Sequence, residues 1–304
     1  MNKTEKIWMD GVLVPWDQAT VHVMSHSLHY GSAIFEGARC YNTINGSRIF
    51  RLSDHVKRFY NSAKIYGMPI PFAPDEIASA IKTTIKENHI NECYIRPIAF
   101  YGWDEAGINP IANKVHVAIA VWPWGSYMGE EGLKKGVKVQ VSTWARIDNR
   151  SLPTRAKIAA NYANSILAKM EVQRLGFTEA ILLNTEGMVT EGSGENLFMI
   201  DGGRVITPPL SAGPLPGITR ESIMQLAKDL GYKVTEENIT RSDLLLADEV
   251  FFTGTAAEVT PVSEIDGRKI GNGVRGPITE KIQTKFFDVV KGRDSAYSKW
   301  LEPL

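Results

Sequence analysis

The chain has 304 residues and a mass of 33.7 kDa, and 43% of its residues are hydrophobic, enough for one large core or two modest ones and far above the disordered range. Lys+Arg and Asp+Glu each number 34, so the formal net charge is zero and no global field points to nucleic acid or an anionic membrane. Two cysteines, Cys40 and Cys93, give neither a disulfide framework nor a zinc spacing; Met1–Lys6 carries no apolar signal stretch, and no run reaches the ~18 apolar residues of a membrane span, so a cytoplasmic protein is expected.

In chain order, Ile7-Trp8-Met9 and Val12-Leu13-Val14 flank Asp10-Gly11, a strong hairpin signal. Val23 to Gly31 is irregular. It contains His26 and His29 and follows His22, but no carboxylate or cysteine completes a ligand set, so no metal is expected. Ala33–Tyr41 and Ser47–Phe50 surround Asn45-Gly46, a second hairpin. A helix is predicted from Ser53 as N-cap, with Val56, Phe59, Tyr60 and Ala63 on one face and Arg58 near its edge. Another starts at Pro74 and buries Ile77, Ile81 and Ile85. Cys93–Phe100 and Val115–Val121 read as strands, so the first half is mixed α+β.

Glycine, proline and aromatics gather at Trp122–Gly129, which suits a linker that also walls a pocket. The division expected is a small domain over 1–122, a loop over 123–134 and a larger domain over 135–304. Beyond the loop, Val137–Val141, Glu179–Leu183, Asn196–Ile200 and Asp248–Phe252 read as strands. Ala159–Leu175, Thr219–Leu230 and Pro277–Val290 read as helices, and Asp266-Gly267 marks a short hairpin.

The chemistry concentrates around Lys157. It is flanked by small and apolar residues at the mouth of the Ala159–Leu175 helical pattern, where desolvation would disfavour the ammonium form. A neutral lysine amine can form a Schiff base with an aldehyde cofactor, and Glu191 offers a carboxylate for a pyridinium nitrogen. Most lysines before a helix are only solvated charges. A phosphate wants a helix N-terminus, and Gly217-Ile218-Thr219 opens one; Thr253-Gly254-Thr255-Ala256 is a second small-residue turn, and Arg58 could add charge. No dinucleotide fingerprint or Walker loop is present.

What outweighs the bland reading of Lys157 is an ordered series: Glu191-x-Ser193-x-x-Asn196-Leu197-Phe198, then Val205-Ile206-Thr207, then Leu215-Pro216-Gly217-Ile218-Thr219-Arg220. It resembles the signature of the class IV aminotransferases, enzymes that use pyridoxal 5′-phosphate (PLP). Over nearly its full length the chain is similar to the bacterial branched-chain-amino-acid branch of that family, through Val23-Met24-Ser25-His26, Phe35-Glu36-Gly37, Tyr94-Ile95-Arg96-Pro97, Pro123-Trp124-Gly125 and Gly254-Thr255-Ala256-Ala257-Glu258.

The resemblance implies a two-domain α+β fold of type IV, like D-amino-acid aminotransferase, with a pseudo-barrel of strands in the larger domain. It makes Lys157 the Schiff-base residue. Tyr162 would meet the cofactor's phenolic oxygen, Glu191 the ring nitrogen, and Leu215 the ring. Arg58, Ile218, Thr219 and Thr255 would hold the phosphate, beside Gly217 and Gly254. Phe35, Gly37, Tyr94, Trp124 and Tyr127 would form the substrate pocket, with Tyr30 and Ile108 from a partner subunit. Arg96 would meet the distal carboxylate of glutamate, and the turn Thr255-Ala256-Ala257 the α-carboxylate.

The expected activity is ping-pong transfer of the amino group of branched-chain L-amino acids to 2-oxoglutarate, by a homodimer or a dimer-based hexamer with amino and 2-oxo acids as its ligands. D-amino-acid aminotransferase, aminodeoxychorismate lyase and a non-catalytic PLP-binding protein are the alternatives. Ala38 and the stretch Trp103-Asp104-Glu105 depart from the family pattern.

Overall fold

In the computed structural model, which describes residues 3–125 and 128–304, Asp10 and Gly11 take φ of 49° and 99° and join β1 (Lys6–Met9) to β2 (Val12–Pro15). This is the left-handed pair that a two-residue hairpin demands. A short helix α1 (His26–Tyr30) follows, inside the stretch expected to be irregular, and Gly31 closes it in the αL conformation.

The predicted strand over 33–41 is two strands, β3 (Ala33–Phe35) and β4 (Ala38–Thr43), separated by Glu36-Gly37. Both pair antiparallel with β6 (Cys93–Tyr101), Phe35 opposite Ile98 and Ala38 opposite Ile95, so the register runs through the gap. Pro97 explains the break: Glu36 N–H donates to its carbonyl at 2.9 Å, but proline has no N–H to return. The second hairpin, β4 to β5 (Gly46–Phe50), turns on Ile44-Asn45 rather than Asn45-Gly46. Thr43 pairs with Gly46, which alone of the three that follow Thr43 carries a positive φ.

Helix α2 (Leu52–Tyr66) begins after Arg51, held in αL at φ 51°, so Ser53 lies inside the helix and is not its cap. It buries Leu52, Val56, Phe59 and Ala63, while α3 (Pro74–Glu87), with Pro at its first turn, buries Ile77, Ile81 and Ile85. These i, i+3 and i+4 spacings put one apolar stripe of each helix into a core shared with Ile95, Val117 and Ile119. Truncating Phe59 there would cost about 3–5 kcal/mol. With β7 (Val115–Trp122) the sheet runs β5-β4-β6-β7-β1-β2, and Leu301–Pro303 pair on the outer edge of β5.

The chain groups into two compact units, Met1–Trp124 with Ala156–Ala160 and Val289–Leu304, and Gly125–Arg155 with Asn161–Asp288. The second contains α4 (Gly129–Lys135), β8 (Val137–Val141), α5 (Asn161–Arg174), β9 (Glu179–Leu183), β10 (Val189–Gly192), β11 (Asn196–Asp201), β12 (Arg204–Thr207), α6 (Ile218–Asp229), β13 (Val234–Glu236), α7 (Arg241–Leu246), β14 (Glu249–Gly254), β15 (Glu258–Ile265), β16 (Arg268–Lys269) and α8 (Pro277–Val290). The strands β8, β9, β10, β11, β14 and β15 close on themselves, since β10 pairs with both β9 and β11 and β15 with both β14 and β8. This ring is the expected pseudo-barrel. Val139, Ile181, Leu197, Val250, Phe252 and Val262 fill its core. Asp266-Gly267 forms the hairpin β15–β16 with φ of 52° and 76°.

Candidate active site

Lys157 is not at a helix mouth. It lies in the extended segment Ala156–Ala160, which groups with the first unit, and the next helix starts at Asn161. Ile158 bridges to Ile34; Phe35 N–H donates to the Lys157 carbonyl at 3.1 Å, and Lys157 N–H donates to Ser62 Oγ at 3.0 Å. A strand on one side and a helix on the other thus fix the lysine's backbone. Its Nζ stands 4.7 Å from the centre of the Phe35 ring. Burial, then the positive charge of Arg58, pull its pKa down to about 8, outweighing the opposite pull of Glu36. At pH 7 about one such amine in ten is then neutral, against fewer than about one in a thousand for an ordinary lysine.

Beside it, the Glu36 carboxylate grips Arg58, accepting Nε at 2.6 Å on Oε1 and Nη2 at 2.9 Å on Oε2. His55 Nδ1 adds 2.9 Å to the same Oε2. Burial pushes the Glu36 carboxyl up, but the Arg58 guanidinium and the His55 hydrogen bond outweigh it and hold it well below the usual carboxylate range. Burial pulls His55 down in spite of Glu36, so the ring is neutral at pH 7 and donates from Nδ1.

Around these groups stand Phe35, Tyr94, Trp122 and Trp124. Tyr94 meets Trp122 at 5.1 Å and Trp124 at 4.8 Å between ring centres. A Cβ on Gly37 would fall 2.0 Å from the Tyr94 hydroxyl, which is why glycine stands there. Arg96 lies over three of these rings, 5.0 Å from Phe35, 5.2 Å from Tyr94 and 5.7 Å from Trp122. Its Nε is buried with no hydrogen-bond partner and it makes no ion pair with an acid among the described residues. Glu36, the acid nearest to it in the family motif, is committed to Arg58 and His55. Tyr30 and Ile108, by contrast, are 47% and 77% exposed. Tyr127 lies outside the described residues.

In the second unit, Glu191 sits on β10 opposite Asn196. Arg146 Nε approaches its Oε1 at 2.9 Å, and Oε2 accepts Leu215 N–H at 3.0 Å and Asn196 Nδ2 at 3.3 Å. Asn196 Nδ2 also donates to the Leu215 carbonyl at 2.9 Å, and a Cβ on Gly217 would fall 1.9 Å from Asn196 Oδ1. Gly217 is the N-cap of α6, so no side chain caps the first turn, where Ile218 and Thr219 lie buried. Thr255, Ala256 and Ala257 form the loop between β14 and β15, since Gly254 pairs with Glu258. Glu258 takes φ 54°, an αL position usually left to glycine, and Thr260 Oγ1 anchors the Ala257 carbonyl at 2.7 Å. Tyr162 is half-buried in the first turn of α5.

Sequence reasoning missed His55 and Arg146, and it missed the parts played by Ser62 and Asn196; Trp122 entered only as the start of the pocket-walling stretch Trp122–Gly129, and Asn196 only as a member of the signature. Each unit carries groups that fit PLP chemically: in the first, an amine of lowered pKa for an aldehyde and Arg58 for a phosphate; in the second, a carboxylate held by a guanidinium and two N–H groups for a ring nitrogen, and an uncapped helix start for a phosphate. The three histidines of 22–29 are taken up locally, His26 bridging Ser32 Oγ and the Gly107 carbonyl at 2.7 and 3.0 Å.

The profile of the amino-transferase class IV family matches residues 33–265. The chain is 50% identical to the branched-chain-amino-acid aminotransferase of Pseudomonas aeruginosa over 97% of its own length and 95% of the relative's. The crystal structure of the Escherichia coli branched-chain amino acid aminotransferase superposes with a TM-score of 0.97 at 44% identity, covering 99% of both chains. The T.th. branched-chain amino acid aminotransferase complexed with N-(5′-phosphopyridoxyl)-L-glutamate gives 0.95 at 47% identity, again over 99% of both.

Proposed function

The chain belongs to the class IV aminotransferases, which are PLP-dependent enzymes, and from that premise we propose that it carries the amino group of leucine, isoleucine or valine to 2-oxoglutarate. The observation that carries the reading is Arg96, a guanidinium with a buried unpartnered Nε set among Phe35, Tyr94 and Trp122. Aromatic rings suit a branched aliphatic side chain, and a half-buried cation with no acid among the described residues suits the second carboxylate of glutamate, which would cost several kcal/mol to bury unpaired. The glutamate adduct in the T.th. relative supports it.

When bound, PLP supplies an electron sink for the pair left behind as the substrate's Cα proton departs. Lys157 Nζ would hold the cofactor's aldehyde and, as a free amine, would take the proton from the substrate's Cα. A pKa of about 8 suits such a base near neutral pH. Glu191, braced by Arg146, Asn196 and the Leu215 N–H, holds the proton on the ring nitrogen. Tyr162 would meet the phenolic oxygen, and Leu215 would pack on the ring. Arg58 would bind the phosphate with Ile218, Thr219 and Thr255, beside Gly217 and Gly254. The Thr255-Ala256-Ala257 loop receives the α-carboxylate, and Phe35, Gly37, Tyr94, Trp124 and Tyr127 line the side-chain pocket.

Tyr30 and Ile108 act from a second copy of the chain. Val23, Leu28 and Ile111 are exposed as well, 65%, 62% and 82%, apolar side chains that a second copy would cover. The assembly is a homodimer or a hexamer built of dimers, working in the cytoplasm; no helix among the described residues is long and apolar enough to cross a membrane. A panel of L- and D-amino acids against 2-oxoglutarate tests the activity. Leucine, isoleucine and valine should lead, and a panel led by D-alanine would move the protein to the D-amino-acid branch of the family.

A further inference from the structure

We propose that Glu36 is the positioning residue for the phosphate site: it fixes the guanidinium of Arg58 in the orientation that grips the cofactor's phosphate. The inference rests on the assignment of Arg58 to that phosphate. An arginine side chain is long and rotamer-rich, and one that must be ordered at the moment of binding loses affinity for the ordering. Here the ordering is done in advance. Glu36 is 0% exposed, and its backbone is pinned at the Pro97 break, where its N–H donates to the Pro97 carbonyl at 2.9 Å.

Both carboxylate oxygens are in use. Oε1 takes Arg58 Nε, while Oε2 takes Arg58 Nη2, His55 Nδ1 and, at 3.2 Å, the N–H of Gly37. Two of the five N–H donors of Arg58 are thereby spent in one bidentate contact, which sets both the plane of the guanidinium and the direction of its remaining edge. His55 is buried, and burial disfavours its charged form, so it serves Glu36 as a donor; the positive charge that weighs most on Lys157 is that of Arg58. Replacing Glu36 by glutamine keeps the volume but presents an N–H₂ to one edge of the guanidinium. The bidentate grip is then lost.

PLP and pyridoxal offer the same aldehyde to Lys157 and the same ring nitrogen to Glu191. They differ in the phosphate alone, so the ratio of their dissociation constants isolates the phosphate site. Equilibrium binding of both to cofactor-stripped full-length protein is the measurement. Arg58→Met should weaken PLP by about 100-fold or more and leave pyridoxal within about twofold. Glu36→Gln should weaken PLP by about 10- to 100-fold, as loss of an orienting partner does elsewhere, again sparing pyridoxal. Glu36→Asp, which keeps the charge but retracts it by one methylene, should fall between Glu36→Gln and the unaltered protein. The double variant Glu36→Gln/Arg58→Met should bind PLP no more weakly than Arg58→Met alone, because Glu36 acts through Arg58. Unchanged PLP binding in Glu36→Gln, equal losses of PLP and pyridoxal, or a further loss in the double variant would overturn the proposal. An Arg58→Met protein that keeps its preference for PLP over pyridoxal would instead overturn the assignment of Arg58 to the phosphate.

Discussion

Arg96→Ala should separate the two halves of the catalytic cycle. In the free protein the guanidinium lies 5.0–5.7 Å from three ring centres and its Nε is buried with no partner, so it holds no acid whose loss would complicate the variant. When glutamate binds, its distal carboxylate would gain charge-assisted hydrogen bonds from Arg96, each worth about 1.5–3 kcal/mol. Truncating one partner of such a buried pair costs about 2–5 kcal/mol, and since the guanidinium holds no internal acid that would be stranded, only the Tyr94 hydroxyl at 3.5 Å, the lower part applies, about 2–4 kcal/mol. That is about 30- to 900-fold in the glutamate half-reaction. Leucine places no charge there, and its half-reaction should change by less than about threefold. Stability should change little, because the lost cation–π contacts, about 0.5–1 kcal/mol each, are offset by removal of a desolvated charge. Single-turnover kinetics with each amino acid, followed in the cofactor's absorbance, give the ratio. Equal losses for leucine and glutamate would refute the reasoning and make Arg96 a structural residue.

Three further outcomes follow from the geometry. Glu191→Gln should retain PLP yet slow turnover on the order of 100-fold, since an amide cannot hold the ring-nitrogen proton as a carboxylate does; turnover unchanged from wild type would mean that another group holds that nitrogen. Gly37→Ala places a Cβ 2.0 Å from the Tyr94 hydroxyl, so the ring must turn out of its stack at a cost of about 1–3 kcal/mol. Leucine turnover should fall by about tenfold or more, and an unaffected rate would show that the Tyr94 wall is not part of the pocket. In cofactor-free protein, acylation of Lys157 should rise with a midpoint near pH 8, because burial and Arg58 disfavour its ammonium form. Mass-spectrometric labelling against pH measures this, and a midpoint at that of solvent lysines, about 10.4, would contradict it.

What the sequence revealed was mostly local. Asp10-Gly11 and Asp266-Gly267 carry their turn chemistry in two residues, and α3 and α8 begin at Pro74 and Pro277, where a proline suits the first turn. The signature around Glu191 also holds Asn196 and Leu215, which the structure brings to its carboxylate. Non-local pairing stayed hidden. Lys157 reads as a helix mouth because the partner that makes its segment extended, Ile34, lies far upstream. Nothing in the sequence ties Glu36 to α2, yet α2 brings Arg58 and His55 to its carboxylate. Arg146 has no motif and is known only from its approach to Glu191. The closure of the ring through β10 and β11 depends on a short hairpin whose four-residue strand Val189–Gly192 shows no apolar alternation.

The position of the pyridoxyl group after borohydride reduction of the protein charged with PLP tests the role of Lys157 most directly. Trypsin does not cleave after a modified lysine, so the adduct should be found on a peptide running from Ala156 past Lys157 to Lys169. An adduct on any other lysine would contradict the assignment of the amine on which the whole reaction turns.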